Sequence, residues 1–401
     1  MKEILILCQY FYPEYVSSAT LPTQLAEDLI KAGFKVDTIC GKPKEYSNKE
    51  NIKSFENYKG IRIKRLNYTE FNNKSKIGRI INFFSLFISF GFNIPRMLKY
   101  DHILVYSNPP ILPLIPDIIY RLTKKKYSFV VYDIAPDNAI STGAIKKGSM
   151  IDKLMKYINK HVYNNAENII VLGNEMKEYL LDNNFSNKPE RIKIIPNWYD
   201  ESQIKHNEIN NENFKLLRSK YKKLILYSGN MGQLQDMETI LDFLKQNVNN
   251  RDTFTILSGH GKKMDVIKDY IKDNNIDNAK VFGFLTGTDY SDVLTMADLC
   301  IVSLIEEASG LGVPSKIYGY LAAKKPLIAI MPKNTDIVKE IMEYNAGVHI
   351  KNGDANKLFD YVTNTSSHEI LEQGENAYRL YKENYTRQIS TKKYIELLQN
   401  N

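Results

Sequence analysis

Short apolar runs alternate with longer amphipathic stretches along most of the chain. In the first half the apolar runs lie at 3–8, 35–40, 61–66, 102–107, 127–132, 168–172 and 192–195. Helical patterns lie between them at 21–32, 111–122, 151–164 and 175–183, and the polar residues 42–60 predict a loop. Buried strands that alternate with helices are typical of a parallel sheet covered on both faces. The pattern therefore predicts the α/β class.

The same alternation returns after a polar stretch. The second set of apolar runs lies at 224–228, 254–258, 280–284, 298–304, 326–331 and 347–350. A chain of 401 residues, 43% of them hydrophobic, is long enough for two globular domains. We therefore predict an N-terminal domain over 1–198, a linker over 199–213 and a C-terminal domain over 214–375. The helical tail 376–401, broken around Asn384 and Tyr385, is expected to return to the N-terminal domain.

One apolar stretch does not fit this alternation. Residues 80–94 are rich in Phe and Ile and follow a basic segment, Lys74 to Arg79. The run is shorter than the roughly 20 residues that a transmembrane helix needs. Basic residues beside an aromatic helix favour docking on anionic lipid, so we predict a membrane-facing helix at about 79–98. A helix packed in the core is the alternative.

Composition limits the classes of function. The formal charge is +8, but the lysines are dispersed and no nucleic-acid-binding motif accompanies them. Cys8, Cys40 and Cys300 lie in separate apolar runs without metal-ligand spacing, which indicates buried thiols in a reducing compartment. The N-terminus has no cleavable signal pattern. We therefore expect a cytoplasmic protein whose cysteines hold no metal, and we expect no cofactor.

Candidate chemistry in the first half lies in loops after the predicted strands. Ser17 and Ser18 are small residues in a loop without GxGxxG, so a ligand can approach the backbone although a dinucleotide fingerprint is absent. Asp133 and Asp137 follow the strand at 127–132, where they can position a hydroxyl or act in acid–base chemistry. An ordinary βα loop and a turn or N-cap role are the alternatives.

Glycine loops follow the strands of the second half. Gly229-Asn230-Met231-Gly232 comes after one strand, and Gly259-His260-Gly261 comes after the next. Two glycines at a strand-to-helix turn let backbone N–H groups face a phosphate. His260 between its two glycines is typical of a turn residue, with catalysis as the less ordinary role.

The segment from Glu306 to Ala329, EEASGLGVPSKIYGYLAAKKPLIA, combines these features. A Gly/Ser loop follows a buried strand, a helix opens near Pro314, and Lys316 adds a positive charge at its start. A helix N-terminus with Pro in its first turn favours an anion. We therefore predict an anion site here.

Several segments together resemble a known family: YFYPEYVSSAT, VYDIAPDN, IIPNWYD, YSGNMG, LSGHGKK, VFGFL and VPSKIYGYLAAKKPLIA. They are similar to retaining glycosyltransferases of family four, and within it to the bacterial capsule, O-antigen and colanic-acid branch, including N-acetyl-L-fucosamine transferases. The resemblance implies the GT-B fold, with two Rossmann-like domains whose parallel sheets face each other across a cleft.

The resemblance also implies an activity. A hexosyltransferase-type enzyme of this family would move a sugar, here an N-acetylated amino- or deoxy-sugar, from a UDP-sugar to a polyprenyl-diphosphate-linked saccharide at the inner face of the cell membrane. It would need no metal, because cations and N–H groups balance the diphosphate. Catalytic roles would then fall to Asp133, Asp137 and Lys316. The donor would contact Ser17, Ser18, Gly229, Asn230, Met231, Gly232, Gly259, His260, Phe284, Leu285, Glu307, Gly312, Val313, Pro314, Ser315 and Tyr318.

The sequence departs from the family pattern at two points. Gly319 stands where many members carry a ribose-binding glutamate, although Glu307 can stand for the first glutamate of that pair. Asn230 and Gln235 replace the Arg and Lys of the phosphate loop. Lys316 is therefore the main predicted cation, with Lys262 and Lys263 behind it and the N–H groups of Met231 and Gly232 beside it.

With these departures from the family pattern, two other classes of protein remain as alternatives. One is a non-catalytic GT-B protein that binds a sister transferase or the membrane. The other is a sugar-nucleotide 2-epimerase, which has the same architecture but whose carboxylate and histidine pattern is not evident here.

Overall fold

A computed structural model describes residues 1–43, 47, 51–71, 76–204 and 209–400, without the side chains of Lys76, Ile77 and Arg79. The basic segment predicted before the aromatic helix therefore lies largely outside the described residues. The chain forms two compact units. Unit 1 comprises Met1–Pro196, Leu311–Val313 and Ser390–Asn401, and unit 2 comprises Asn197–Gly310 and Pro314–Ile389.

Unit 1 is built on a sheet that, in the described residues, has the strand order β3-β4-β2-β1-β5-β6-β7-β8. Its strands are β1 (Glu3–Leu7), β2 (Lys35–Gly41), β3 (Phe55–Tyr58), β4 (Ile61–Leu66), β5 (His102–Tyr106), β6 (Tyr127–Val130), β7 (Asn168–Val171) and β8 (Ile192–Ile194). All neighbours are parallel except β3, which pairs with β4 in the antiparallel sense. The order changes direction between β1 and β5.

The helices of unit 1 cover this sheet. They are α1 (Ser17–Lys31), α2 (Lys76–Gly91), α3 (Ile94–Met97), α4 (Leu114–Thr123), α5 (Asp137–Ser141), α6 (Met150–Asn165) and α7 (Asn174–Asp182). One hydrophobic core joins α2, α4, α6 and α7 to alternate residues of the strands, among them Leu5, Leu7, Ile103 and Val105. Alternate residues point to one side of a sheet, so these four helices cover the same face.

Unit 2 has a second sheet, which in the described residues follows the order β11-β10-β9-β12-β13-β14 and is parallel throughout. Its strands are β9 (Lys223–Asn230), β10 (Thr253–His260), β11 (Ala279–Phe282), β12 (Leu299–Ser303), β13 (Leu327–Ile330) and β14 (Gly347–Ile350). Its helices are α8 (Glu212–Lys220), α9 (Glu238–Gln246), α10 (Met264–Asp273), α11 (Gly287–Met296), α12 (Lys316–Ala322), α13 (Asp336–Glu343), α14 (Ala355–Asn364) and α15 (Ser367–Asn384).

The segments around the predicted linker belong to unit 2. The buried carboxylate of Asp292 accepts hydrogen bonds from the N–H groups of Asn210 and Asn211, which holds the end of that segment against α11. At the other end of the chain, the last helix is α16 (Arg387–Gln399). Its residues from Ser390 onward lie in unit 1, where Lys2 Nζ donates to the carbonyl of Leu398 at 2.8 Å.

Two local predictions need correction. The segment 42–60 contains strand β3, which pairs with β4 although its sequence is polar. Helix α1 begins at Ser17 instead of Leu21, because Ala19 and Thr20 already donate to the Val16 carbonyl. Helix α2 has two different faces: Leu86 and Phe90 are buried in the core, whereas Ile80, Phe84 and Ile88 are exposed, and the predicted membrane contact stays a prediction.

Candidate functional site

The strand order of unit 2 changes direction between β9 and β12. In open parallel sheets, ligands bind at the carboxyl end of the strands where the order reverses. The loop Gly229–Gly232 leaves β9 at this edge, and the chain that leaves β12 leads through a short 3-10 helix, Glu306–Ala308, to α12. The topology therefore places the two predicted anion loops on neighbouring strands.

Lys316 is the first residue of α12 and its side chain reaches back to β9. Its Nζ lies 3.4 Å from the centroid of the Tyr227 ring and 3.5 Å from the position that a Cβ on Gly229 would occupy. Among the described residues, this buried amine has no hydrogen-bond partner. Burial lowers the pKa of Lys316 well below its ordinary value. A ring face stabilises the ammonium form only in part, so an anion placed here would gain a strong cation contact.

The two glycine loops are held together backbone to backbone. Gly259 has φ 142°, and a Cβ there would lie 1.8 Å from the carbonyl oxygen of Gly229. At Gly261, φ is 139° and a Cβ would lie 2.4 Å from the Met231 carbonyl oxygen. Only glycine permits this conformation and this approach. The glycines thus set the shape of the edge below Lys316.

Two predicted N–H donors are already used inside unit 2. The Met231 N–H donates to the carbonyl of His260 at 2.6 Å, and the Gly232 N–H donates to Gln235 Oε1 at 3.0 Å. The loop turns its donors inward because Gly259 and Gly261 let β10 approach so closely. The expectation that these N–H groups face a diphosphate is therefore not met in this conformation.

His260 and Phe284 form an exposed aromatic pair near the same edge. Their ring centroids are 5.3 Å apart in an edge-to-face arrangement, and both side chains are accessible to solvent. Leu285 follows Phe284 and is half-buried. Such a pair offers an apolar face on which a planar ring can stack.

Tyr318, which was also predicted to contact the donor, has an aromatic packing partner. Tyr318 is buried and packs against Tyr385, with ring centroids 5.0 Å apart. Helical geometry turns this side chain away from the edge that Lys316 faces. Tyr318 therefore takes part in the packing of α12 against the end of α15, and its contact with a donor stays a prediction.

Gly319 also faces protein. A Cβ at this position would lie 3.2 Å from the Tyr199 ring and 3.5 Å from the Tyr290 hydroxyl. A glutamate would meet these two aromatic side chains and could not extend without displacing them. The absence of a carboxylate at position 319 therefore fits the local packing, which leaves no room for a glutamate side chain.

The other predicted residues of this segment lie around α12. Glu307 is exposed on the 3-10 helix, Pro314 is half-buried, and Ser315 is the N-cap of α12. Helix α12 therefore begins two residues after Pro314 and has seven residues. Of the two lysines named as reserve cations, Lys262 is exposed and Lys263 pairs with Glu238 at 2.9 Å.

In unit 1, Asp133 meets the segment Leu311–Val313. Asp133 and Gly312 form an isolated antiparallel bridge, and the Ile134 N–H donates to the Leu311 carbonyl at 2.9 Å. Burial raises the pKa of Asp133 to about 6, although solvent still reaches its side chain. Gly312 and Val313 therefore lie beside this carboxylate in unit 1, whereas Lys316 belongs to unit 2.

Asp137 and the two serines have other surroundings. Asp137 Oδ1 lies 3.7 Å from Lys156 Nζ, and burial followed by the charge of Asp137 raises the pKa of Tyr179. The Asp137 carboxylate thus faces α6 and α7. Ser17 and Ser18 form the first turn of α1 instead of a loop, with Ser17 exposed and Ser18 half-buried.

Sequence reasoning missed the aromatic partners of the site. Tyr227 carries the ring below Lys316, and the hydroxyl of Tyr320 accepts from the Ser228 N–H at 2.8 Å while donating to the Ser228 carbonyl at 3.2 Å. Both tyrosines look like core residues in the sequence. Their spacing from the glycine loop and from Lys316 was the only available signal.

In the described residues, no group of three or more His, Cys, Asp or Glu side chains is arranged to hold a metal ion. None of the helices in that part of the chain has the length and apolar character to cross a membrane.

One protein family and two relatives of known name match this chain. Residues 208–386 match the family described as glycosyl transferases group 1. Over 313 residues, covering 77% of this chain and 78% of the relative, the chain is 26% identical to a protein of Pseudomonas aeruginosa named probable glycosyltransferase WbjE. It is 21% identical over 339 residues, 80% of this chain and 81% of the relative, to a protein of Escherichia coli (strain K12) named putative colanic acid biosynthesis glycosyl transferase WcaI.

Two solved structures have a fold similar to that of this chain over its full length. Sucrose-phosphate synthase of Thermosynechococcus elongatus superposes with a TM-score of 0.75 at 14% identity, covering 100% of this chain and 99% of that one. Anabaena HepE, in complex with UDP and glucose, gives a TM-score of 0.76 at 14% identity with 100% coverage of both chains. At these identities the likeness concerns the fold. The chain therefore has the GT-B fold, and its residues 208–386 are similar to glycosyl transferases group 1.

Proposed function

We propose that the chain is a retaining glycosyltransferase that moves a sugar from a UDP-sugar to a lipid-linked saccharide in bacterial surface-polysaccharide synthesis. The observation that carries the proposal is the buried amine of Lys316, which lies at the reversal point of the unit 2 sheet without a hydrogen-bond partner among the described residues. The name of WbjE supports glycosyl transfer, the name of WcaI supports polysaccharide synthesis, and the complexes of HepE with UDP and UDP-glucose support a uridine nucleotide.

Lys316 would act on the leaving group. Transfer of the sugar leaves a nucleoside diphosphate whose negative charge grows as the glycosidic bond breaks. A fixed cation in a site with little water stabilises that charge more strongly in the transition state than in the ground state. Because the N–H groups of Met231 and Gly232 have protein partners, Lys316 carries more of this task. His260 and Phe284 would place the base by stacking.

Asp133 would contact the acceptor hydroxyl. Its carboxylate lies three residues beyond β6, at the carboxyl edge of the unit 1 sheet, and its pKa of about 6 leaves it mostly ionised at neutral pH. An ionised carboxylate can accept the hydroxyl proton as the new bond forms. The lower this pKa, the weaker the base, so the upward shift suits the role.

We expect Asp133→Asn to lower turnover by about 10²–10³-fold with little change in donor affinity. An amide cannot take the proton. In the wild type, activity should fall as the pH drops through the pKa of Asp133, because protonation removes the base; the variant should lack this limb. Initial rates across pH, read by mass spectrometry, measure both effects. Asp137→Asn serves as the comparison, since its carboxylate faces Lys156. Equal pH profiles for wild type and Asp133→Asn would remove Asp133 from the chemistry.

An anionic membrane surface is the proposed location of the acceptor. The outer face of α2 exposes Ile80, Phe84 and Ile88, and Phe92 follows the helix. Lys64 and Arg96 flank the exposed ring of Phe55, at 5.5 and 5.6 Å from its centroid. Apolar side chains beside cations are the composition of an interfacial contact with anionic lipid. Binding to vesicles tests this contact.

Nucleotide binding tests the enzymatic proposal. Titration calorimetry should give a Kd for UDP between about 10 µM and 1 mM, with GDP weaker by at least about tenfold. Absence of binding by either nucleotide at millimolar concentration would favour the non-catalytic alternative, which the glycine at 319 and the missing cations at 230 and 235 also motivate. A panel of nucleotide sugars with a lipid-linked acceptor, read by mass spectrometry, would then identify the donor sugar.

A further inference from the structure

Helix α6 carries a second exposed apolar stripe on unit 1. Met150, Ile151, Leu154 and Tyr157 are all exposed, with Met150 accessible over 88% of its surface. They recur at helical spacing on one side of α6, whereas Val162 and Tyr163 on the other side belong to the core. A run of four large apolar residues on the outside of one helix indicates that another apolar phase covers it.

The charges around this stripe are of one sign. Residues 143–161 contain five lysines and one acid, Asp152. Lys146, Lys147, Lys153 and Lys160 are exposed. Asp152 is buried: it accepts from the Gly148 N–H at 2.7 Å and lies 3.1 Å from Lys156. The accessible surface of α6 is therefore apolar and basic, without an exposed carboxylate from this segment.

The exposed surface of α6 faces the same side of the unit 1 sheet as the outer face of α2. Leu86 and Phe90 of α2, Ile115 and Ile119 of α4, and Val162 of α6 share one core against one face of the sheet. Since each helix packs its inner side on that face, the outer sides point away from it together. Leu122 on α4, between them in the strand order, is exposed as well. The exposed apolar residues thus belong to one helical layer.

We infer that α6 is a second lipid-binding helix, which lies in the headgroup region of an anionic membrane beside α2. The inference rests on the proposed membrane contact of α2 and extends it. One helix leaves a protein free to rotate about the helix axis, whereas two helices on one face restrict that rotation. The membrane would then hold the sheet of unit 1, and with it Asp133, at a set orientation to lipid-linked acceptors.

Charge favours lipid over a second copy of the chain. A symmetric contact would bring the same lysines of both copies together, and like charges at short distance repel. Anionic headgroups instead neutralise them, at roughly 1 kcal/mol for each basic residue near the surface. The buried position of Asp152 leaves no carboxylate on α6 to offset that repulsion.

Site-specific quenching tests the inference. Leu154→Trp places an indole on the α6 stripe, while the only native tryptophan, Trp198, is 4% exposed. With phosphatidylglycerol vesicles whose acyl chains are brominated, the introduced indole should lose roughly half its fluorescence, as expected for insertion of about 5–10 Å. Lys31→Trp on α1 is the matched control. The β1–β2 crossover runs opposite to those of α4 and α6, which places α1 on the other face of the sheet, so no quenching is expected there.

Affinity provides the second measurement. Leu154→Ser with Tyr157→Ser should weaken binding to phosphatidylglycerol vesicles by about tenfold, because two apolar side chains lose their burial in lipid. Leu371→Ser, an exposed leucine on α15, should leave binding unchanged. Thermal melting of each variant checks that the fold is intact, and all three substituted positions are exposed.

The outcomes separate the claims. If wild-type protein floats with vesicles and Phe84→Ser with Ile88→Ser weakens it, but Leu154→Trp is not quenched, the α2 contact stands and the α6 inference is overturned. If wild-type protein binds no vesicles, both lipid contacts fail, while UDP calorimetry still decides the enzymatic proposal. If the α6 serine variant changes only the sedimenting mass, the stripe is an interface between copies, which also overturns the inference.

Discussion

Replacement of Lys316 by methionine should abolish detectable UDP binding and lower turnover by at least about 10²-fold, while the fold becomes no less stable. Methionine has a similar length and can occupy the space above the Tyr227 ring without a charge. Burial of the Lys316 amine destabilises the wild type, because among the described residues the amine has no hydrogen-bond partner. Removal of that amine relieves the desolvation penalty and removes the cation that the diphosphate needs.

The lowered pKa of Lys316 predicts the direction in which the free energy of unfolding changes with pH. Because burial lowers the pKa of Lys316 in the folded state, the unfolded chain binds more protons between that lowered pKa and about 10.5. The free energy of unfolding of the wild type should therefore rise with pH through this range, relative to Lys316→Met. A bound diphosphate raises the pKa again, so UDP binding should take up protons. Calorimetry at about pH 8 in buffers with different ionisation enthalpies measures that uptake.

Lys262→Met is the matched control for the charge. Lys262 is exposed beside the Gly259–Gly261 loop, so its removal lowers the net charge by the same amount without touching the buried amine. It should leave UDP affinity within about threefold of wild type and leave proton uptake unchanged. If Lys316→Met binds UDP as tightly as Lys262→Met does, Lys316 is not part of the nucleotide site.

Most of the fold could be predicted because it depends on periodicity. Strands β5 and β9, for example, contain continuous apolar runs, and such runs need cover on both faces. The structure and its GT-B neighbours confirm the predicted α/β class with two parallel-sheet domains. Strand β3 was missed because an edge strand without a buried face leaves no apolar pattern, and its pairing comes from β4.

The candidate site was only partly predictable, because sequence order does not tell which way a side chain points. Lys316 and Tyr318 are two residues apart, yet one reaches the β9 edge and the other packs against Tyr385. In the same way, a glycine loop predicts an open N–H group, but the close approach of β10 to β9 directs the Met231 N–H to a neighbouring carbonyl. These features depend on distances between strands far apart in the sequence.

Asp133 and Asp137 show a similar limit. Their spacing suggested a pair of carboxylates at one strand end, since both follow β6 closely. The chain turns into α5 at Asp137, which directs that carboxylate to Lys156, while Asp133 stays beside Gly312. The partner of each carboxylate comes from another part of the sequence. The residues around the two aspartates therefore could not show that their carboxylates have different surroundings.

Gly259→Ala should be among the most destabilising single substitutions in unit 2. The added Cβ would lie 1.8 Å from the Gly229 carbonyl oxygen, at a φ of 142° that alanine rarely adopts. Both partners are backbone within the paired strands β9 and β10, so neither can rotate away. We expect a loss of at least about 3 kcal/mol in the free energy of unfolding, or roughly 10 °C in Tm.

Gly283→Ala is the control for this prediction, because it adds the same methyl group just after the neighbouring strand β11. No atom lies within 4 Å of its Cβ position, and the residue is exposed. Its effect should stay within about 0.5 kcal/mol. Chemical denaturation of both variants measures the difference. Similar midpoints for the two would mean that β9 and β10 separate at little cost. In that case the N–H groups of Met231 and Gly232 could turn outward, and Lys316 would no longer need to carry most of the diphosphate charge. A large loss confined to Gly259→Ala would instead show that the loop geometry is rigid, which is the condition under which the buried amine must act as the principal cation.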